Sequence, residues 1–172
     1  VFSQDIGTVT YNGSEISIEH LLQKYIQFPS ISGSEKDAGD FIKSICKENG
    51  LYISDFGTEN GNYNFAASIF PLANKKPNIV FLNHIDVVPE IESKNRKPYS
   101  GEISENIIYG RGALDNKGVA LMQLYSIINH LKSKIKYDSK YNVTFLAVSC
   151  EETQCEGGIS YVIKNYLSEL NP

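Results

Sequence analysis

Apolar positions recur at helical spacing in two stretches near the start of the chain. In residues 17–28 they return every three or four positions, and Ser17 precedes them as a candidate N-cap. The second stretch follows Ser34, a candidate N-cap with Asp37 three positions later, and ends at Gly50. Its apolar stripe consists of Ala38, Phe41, Ile42, Ile45 and Cys46. This pattern predicts two amphipathic helices.

Short apolar runs that are typical of buried strands occupy the rest of the chain at intervals. They are residues 51–56, 63–70, 78–83 and 142–149. The last two runs are almost continuously apolar, which predicts strands that helices cover on both faces. The polar stretch 90–106, which contains Pro98 and Gly101, predicts an excursion over the surface between them.

Two further helices are predicted at about 116–133 and 158–169. The first of them should bury the apolar side chains of Val119, Leu121, Met122, Leu124, Tyr125, Ile128 and Leu131. The succession of helices and strands indicates an α/β layered domain, with a central mixed, largely parallel sheet that is flanked by helices. No apolar run approaches the roughly 18 residues that a membrane-spanning helix needs.

Composition and charge argue against several classes of function. With 172 residues, 41% of them apolar and 21% charged, the chain is long enough for one domain with a core. A net charge of −4 without a Lys/Arg cluster argues against nucleic acid as a partner. Three cysteines without CxxC spacing argue against a disulfide framework and against a structural zinc knuckle.

The first residues of the chain fit two interpretations. The side chains of Val1–Ser3 suit the end of a secretory leader, which would make the natural product an exported protein, and a cloning boundary explains them equally well. We therefore set residues 1–13 apart, as a leader or added segment, from a domain over residues 14–172. The compartment, cytoplasmic or exported, stays open.

Acidic and imidazole side chains occur at three places where a predicted strand ends or a turn enters a helix. His84 and Asp86 follow the third predicted strand. Glu151 and Glu152 follow the fourth, and Asp115 precedes the third predicted helix. Because ligands of open α/β sheets bind beyond the carboxyl ends of the strands, these side chains are expected to meet at one edge of the sheet.

One imidazole and two carboxylates form a set of ligand atoms that suits zinc. His84, Asp115 and Glu152 are the candidate ligands, and the two oxygens of Asp115 could bridge two ions roughly 3.5–4 Å apart. Asp86 could accept the second imidazole N–H and fix the tautomer of the ring. Adjacent carboxylates repel each other unless a cation or a proton lies between them. A division of labour resolves this repulsion if Glu152 binds metal and Glu151 transfers protons.

Each of these motifs also has a plain structural interpretation. His84 could simply end a strand, and Asp115 could cap a helix. The glutamate pair could be a solvated helix start that the helix dipole favours. A metal-free structural α/β domain is therefore one hypothesis, and a truncated, non-catalytic relative that binds a metal or a partner is another.

Taken together, the motifs resemble those of the M20 family of zinc-dependent metallopeptidases and aminoacylases. This family includes acetylornithine deacetylase, succinyl-diaminopimelate desuccinylase and carboxypeptidase S-like enzymes. Its patterns HxDVVP, GRGxxDxKG and EE with a following glycine are met by His84–Pro89, Gly110–Gly118 and Glu151–Gly157. Its Pro-Phe-Ser-Gly stretch is similar to Pro98–Gly101. The resemblance covers roughly residues 15–172 and points to the N-terminal part of the catalytic domain.

The resemblance implies a zinc-peptidase-like domain that hydrolyses an amide bond of a short peptide or an N-acyl amino acid. His84 would bind one zinc ion, Glu152 the other, and Asp115 both, with Co²⁺ or Mn²⁺ as alternative metals. A zinc-activated water would attack the amide, with Glu151 as its general base, and Asp86 would orient His84. The resemblance also implies a cis peptide bond after Asp115. Residues that bind substrate are unknown.

The resemblance further implies parts that would lie beyond Pro172. They are another carboxylate ligand, a C-terminal histidine ligand, and a lid domain that carries a substrate-contacting histidine and through which the parent protein would form a homodimer. The fold should then be incomplete and the 172-residue piece inactive alone. Asn83 replaces the usual glycine before the histidine, and no tryptophan precedes Pro98. His20 and His130 match neither missing histidine and are expected to be ordinary helix residues.

Overall fold

A computed structural model of the protein describes residues 8–57, 61–90, 97–133 and 140–172. The strands are β1 (Val9–Tyr11), β2 (Ser14–Ile16), β3 (Tyr52–Asp55), β4 (Phe65–Ser68), β5 (Asn78–His84), β6 (Glu102–Ser104), β7 (Ile107–Tyr109) and β8 (Asn142–Val148). The helices are α1 (Ile18–Ile26), α2 (Lys36–Glu48), α3 (Lys117–Lys132) and α4 (Ile159–Leu170), with a 3-10 turn at Leu72–Asn74. No helix within these ranges is long and apolar enough to cross a membrane.

The central sheet has the strand order β3-β4-β8-β5. Strands β5 and β8 are parallel, whereas β4 is antiparallel to both of its neighbours. The sheet is mixed, as the sequence predicts, but of its three strand pairs within the described ranges one is parallel and two are antiparallel. The connection between β3 and β4 is too short for a parallel crossover, which needs a dozen or more residues, so these strands pair antiparallel.

Strand β8 supplies side chains to two separate cores, one on each face of the sheet. Phe145 and Ala147 belong to the larger core, which α1, α2 and α3 complete. Leu146 and Val148 belong to the smaller core, which α4 closes from the other side. Successive strand residues point to opposite faces. The almost continuous apolar run of β8 is therefore explained by burial on both faces.

Strand β5 departs from the prediction that helices cover both of its faces. Ile79 and Leu82 are each 50% exposed, and Phe81 is also exposed. The reason is that β5 lies at the edge of the described sheet. The sequence also predicts too many buried side chains on α3, because Val119 and Met122 are exposed. These two side chains line an apolar groove between α1 and α3 in the described part of the chain.

Predicted helix starts are correct for α1 and wrong for α2. Ser17 caps α1, and its side chain accepts a hydrogen bond from the N–H of His20. The N-cap of α2 is Glu35, not Ser34, and the helix begins at Lys36. Ser34 is used in the preceding turn, where its N–H donates to the carbonyl oxygen of Ile31.

Short strands form in two segments to which the sequence assigns neither a helix nor a strand. The surface excursion predicted over 90–106 contains β6, which pairs with β7 in an antiparallel hairpin, while residues 91–96 lie outside the described ranges. Of the segment 1–13 that the sequence sets apart, Val9–Tyr11 pairs with β2, and Val9 is buried in the larger core. Val1–Ser3, the possible leader remnant, lies outside the described residues.

Candidate metal centre

Three of the predicted side chains meet at the carboxyl end of the sheet. His84 ends β5, Asp115 lies in the turn before α3, and Glu152 lies in the turn after β8. One ligand atom from each residue lies within 4.8 Å of the other two. One imidazole nitrogen with two carboxylate oxygens is a donor set that suits zinc, so the residues fit the metal that the sequence predicts.

The pairing of β5 with β8 brings two of these candidate ligands to the same place. The parallel register sets His84 beside Val148, and the N–H of Ile85 donates to the carbonyl oxygen of Val148 at 2.8 Å. Both strands therefore end at one edge. Beyond it, Cys150 adopts a left-handed conformation with φ of 50°. The chain turns at this point, and Glu151 and Glu152 are the first two residues of the turn.

The turn that carries Asp115 depends on close backbone packing. Gly112 has a positive φ of 85°, and a Cβ atom at Gly118 would collide with the carbonyl oxygen of Ala113. The N–H of Lys117 donates to the carbonyl oxygen of Gly112 at 2.9 Å and closes the turn. The Asp115–Asn116 peptide bond is cis, which confirms the expectation from the resemblance.

Lys117 anchors this turn to the end of α1. Its ammonium group is fully buried and donates to the carbonyl oxygens of Tyr25 (3.1 Å) and Phe28 (2.6 Å). Burial lowers the pKa of Lys117 to about 7. The side chain therefore holds the start of α3 against α1 by two bonds to main-chain oxygens.

His84 has acceptors at both ring nitrogens. Nδ1 lies 2.9 Å from the main-chain oxygen of Asp86 and 3.5 Å from its carboxylate, and Nε2 lies 3.0 Å from the carboxylate of Asp115. Burial lowers the pKa of His84, but the two aspartates outweigh that effect and raise the pKa to about 9. With this pKa the ring carries a proton on both nitrogens at neutral pH, and a metal ion that bound at Nε2 would displace one of these protons.

Asp86 has contacts beyond this histidine. Its carboxylate is fully buried and accepts hydrogen bonds from the N–H groups of Glu151 (3.0 Å) and Glu152 (3.1 Å) and from the hydroxyl of Ser32 (2.6 Å). Burial raises the pKa of Asp86, but the hydrogen bonds that it accepts, that from His84 first, lower it further, so the group stays ionised. Asp86 thus links the imidazole of His84 to the turn that carries both glutamates.

The two glutamates of this turn differ in exposure. Glu151 is exposed, while Glu152 is half-buried and, with His84 and Asp115, forms the candidate ligand group, called the ligand group below. A disulfide bond joins Cys150 to Cys155 across this turn, with a Cα–Cα distance of 5.7 Å. The expectation that the cysteines form no disulfide framework therefore misses one local bridge. The spacing argument fails because the turn folds back on itself and brings the two sulfur atoms together.

Two residues of this region were missed by the sequence analysis. Ser32 and Glu35 lie just before α2, whereas the predicted N-cap at Ser34 makes Glu35 the first residue of that helix. The carboxylate of Glu35 is 3% exposed and accepts from the N–H of Cys150 at 3.1 Å. A glutamate immediately after a candidate N-cap gave no local sign of burial. His20 and His130 are exposed residues of α1 and α3, as expected, and lie outside the ligand group.

Comparison with known proteins agrees with this geometry. Residues 80–172, more than half of the chain, match the model of Peptidase family M20/M25/M40. The chain belongs to this family. The resemblance inferred from the motifs is thereby confirmed.

Among the M20 relatives is the succinyl-diaminopimelate desuccinylase of Ehrlichia chaffeensis, which is 31% identical over 134 residues, or 77% of this chain and 34% of the relative. An uncharacterized metallohydrolase of Methanocaldococcus jannaschii is 31% identical over 160 residues, covering 83% of this chain and 37% of the relative. This M20 chain therefore spans about a third of the length of the curated relatives that it matches.

Solved structures show the same fold. An M20 family metallo-carboxypeptidase from Sulfolobus solfataricus superposes with a TM-score of 0.72 at 26% identity, over 87% of this chain and 34% of that one. Human carnosine dipeptidase 1 superposes with a TM-score of 0.69 at 19% identity, over 90% of this chain and 36% of that one. The second likeness supports the α/β fold alone.

Proposed function

We propose that this chain carries part of the metal centre and the general base of an enzyme that hydrolyses an amide bond. The single observation that supports this most is the meeting of His84, Asp115 and Glu152, with Glu151 next to them in the same turn. Further support comes from the relatives, of which one is named a metallohydrolase and one a metallo-carboxypeptidase.

Zinc is the metal that we propose, with Co²⁺ or Mn²⁺ as substitutes. His84 and Glu152 would each hold an ion, and Asp115, whose side chain is 76% exposed, has a second oxygen with which to reach a second ion. When bound, zinc supplies a water nucleophile with a pKa near 7 and polarises the substrate carbonyl.

Proton transfer is assigned to Glu151. Its exposed carboxylate is not part of the ligand group, so it can accept the proton of the attacking water and then deliver it to the leaving amine nitrogen. Asp86 supports both steps, because the hydrogen bonds that it accepts from the main chain of Glu151 and Glu152 fix the backbone positions of the two glutamates.

The substrate that we propose is a short peptide or an N-acyl amino acid. The first class agrees with the name of the carboxypeptidase relative, and the second with the name of the desuccinylase relative. We further propose that residues 1–172 alone have no turnover, since the resemblance implies ligands and a lid domain from elsewhere in the full-length protein.

The test uses the full-length protein with zinc and a panel of dipeptides and N-acyl amino acids. Glu151→Gln should lower kcat by about a hundredfold to ten-thousandfold while zinc content stays unchanged. Glu152→Gln should instead lower zinc content. Hydrolysis that persists in Glu151→Gln would contradict the role of the base. A fully zinc-loaded wild-type protein that hydrolyses nothing in the panel would favour the alternative of a non-catalytic metal- or partner-binding protein.

A further inference from the structure

We propose that Glu35 is a positioning residue of this metal centre, which acts through the main chain of the turn that carries Glu151 and Glu152. The inference rests on the proposed function, because it assigns a role within the same site. Glu35 lies 115 positions before Cys150, on the loop that leads into α2, yet its carboxylate contacts the turn directly.

Three consecutive N–H groups of the turn point at two buried carboxylates. The N–H of Cys150 donates to Oε1 of Glu35 at 3.1 Å. The next two N–H groups, of Glu151 and Glu152, donate to Asp86 at 3.0 and 3.1 Å. Consecutive N–H groups that converge in this way form a concave site for negative charge. The carboxylates of Glu35 and Asp86 occupy this site, and together they hold three consecutive peptide groups of the turn in place.

Glu35 also connects this turn to the loop that holds Asp86. Its second oxygen, Oε2, accepts from the N–H of Gly33 at 2.9 Å. In the same loop Ser32 donates to Asp86 at 2.6 Å, and Ser30 donates to the carbonyl oxygen of Ile85 at 2.8 Å. The loop therefore contacts the end of β5 and, through Glu35, the end of β8. These are the two strand ends that present metal ligands.

The burial of Glu35 is difficult to explain as helix capping. It is the N-cap residue of α2, but its side chain makes no capping hydrogen bond to that helix. It is 3% exposed and forms no ion pair among the described residues. Burial of a carboxylate without a cation is costly and is tolerated where hydrogen bonds compensate it. A serine cap would stabilise the helix without that cost.

The expected consequence is a shift of the ligand and base carboxylates. The Cα–Cβ directions of Glu151 and Glu152 follow from the main chain of the turn, which Glu35 holds at its first N–H group. Without that bond the turn relaxes at Cys150, and both carboxylates move relative to His84. Outer partners that orient ligands in this way typically contribute about 10–100-fold to metal affinity or activity.

The experiment compares Glu35→Gln with Glu48→Gln in the full-length protein loaded with Co²⁺. Glutamine keeps the size of the side chain but replaces one acceptor oxygen by an NH₂ group, which must face one of the two N–H donors. Glu48 is the matched control, because its carboxylate also accepts from two backbone N–H groups, those of Asn12 and Gly13, at the exposed far end of α2.

Glu35→Gln is expected to alter the visible Co²⁺ spectrum, to weaken Co²⁺ binding about 10–100-fold, and to lower kcat more than it changes KM. Glu48→Gln should match the wild type in all three measurements. Glu35→Asp keeps the charge but shortens the side chain by one CH₂ group, so it cannot reach the N–H groups of both Cys150 and Gly33; it should change the spectrum in the same way, and it serves if Glu35→Gln does not fold.

The outcomes separate this inference from the proposed function. If the Co²⁺ spectrum and affinity of Glu35→Gln or, should it not fold, of Glu35→Asp equal those of the wild type, the positioning role is overturned, whether or not the protein hydrolyses amides. If the spectrum and affinity change but the wild type hydrolyses no substrate, the positioning role stands and the proposed reaction is wrong. A wild-type protein that binds no Co²⁺ overturns both.

Discussion

Replacing Asp86 by asparagine removes the charge beneath the glutamate turn and keeps the shape of the side chain. The wild-type carboxylate is fully buried and accepts from the N–H groups of Glu151 and Glu152 on separate oxygens, and from Ser32. Asparagine has one acceptor oxygen and one NH₂ group. One of the two backbone N–H groups must therefore face the NH₂ group and lose its partner.

The cost follows from typical hydrogen-bond energies. A bond to a charged group contributes about 1.5–3 kcal/mol and a neutral one about 0.5–1.5 kcal/mol. The loss of one hydrogen bond to a charged group and the weakening of a second one should together lower the local free energy of opening the turn by about 3 kcal/mol. Since about 1.4 kcal/mol corresponds to a tenfold change, the turn of Asp86→Asn should open about a hundredfold more often.

Amide hydrogen exchange of the metal-free, full-length protein measures this opening directly. A peptide that covers residues 149–153 should exchange about a hundredfold faster in Asp86→Asn at neutral pH. Asp37→Asn, at an exposed aspartate in the first turn of α2, is the control and should leave that peptide unchanged. An acceleration of less than about threefold would refute the assignment of these hydrogen bonds as the main constraint on the turn.

The pH dependence of the same measurement tests the sign of the charge effect. The folded state holds the pKa of Asp86 below its ordinary value of 3.8, because the hydrogen bonds that it accepts outweigh the effect of burial. A depressed pKa contributes stability above the unfolded pKa, and that contribution is lost as pH falls through the folded pKa. The difference between wild type and Asp86→Asn, corrected for intrinsic exchange, should therefore shrink as pH falls below 3.8.

Three further predictions follow from individual contacts. Gly118→Ala should weaken Co²⁺ binding at least about tenfold in a metal titration, because its Cβ collides with the turn before α3, whereas Gly57→Ala, whose Cβ meets no atom within 4 Å, should not. Without reductant, the tryptic peptide 141–164 should be two hydrogen masses lighter than the same peptide after reduction, since Cys150 and Cys155 are bonded. Equal masses would disprove the bridge. Tyr125→Phe removes a 2.7 Å hydrogen bond to a β2 carbonyl and should lower the free energy of unfolding in urea by about 1 kcal/mol; an unchanged value would show that the bond contributes nothing.

Local pattern alone was enough to predict most of the elements. The helix expected at 17–28 is observed at Ile18–Ile26, and the run at 142–149 is the strand Asn142–Val148. The five apolar positions assigned to the face of α2 are all buried. These predictions succeed because burial on one side of a helix, or on both sides of a strand, imposes a period that the residues themselves display.

The meeting of the metal-binding candidates was predictable for a related reason. His84 and Glu152 follow strand runs, and Asp115 precedes a helix, so a rule about strand ends was enough to bring them together. Their burial and partners were not predictable. That Asp86 would accept from the main chain of Glu151 and Glu152, rather than serve His84 alone, depends on how β5 and β8 end side by side.

The amino-acid sequence thus determines which segments form helices and strands and which residue types are available for a metal centre. Only the tertiary structure decides the pairing of β4 with β8, the exposed edge at β5 and the burial of Glu35. The physical reason is the distance along the chain between the residues that come into contact. Periodicity reports on neighbours within a turn or a strand, whereas the bond from the N–H of Cys150 to Glu35 joins residues 115 positions apart, and no local pattern encodes it.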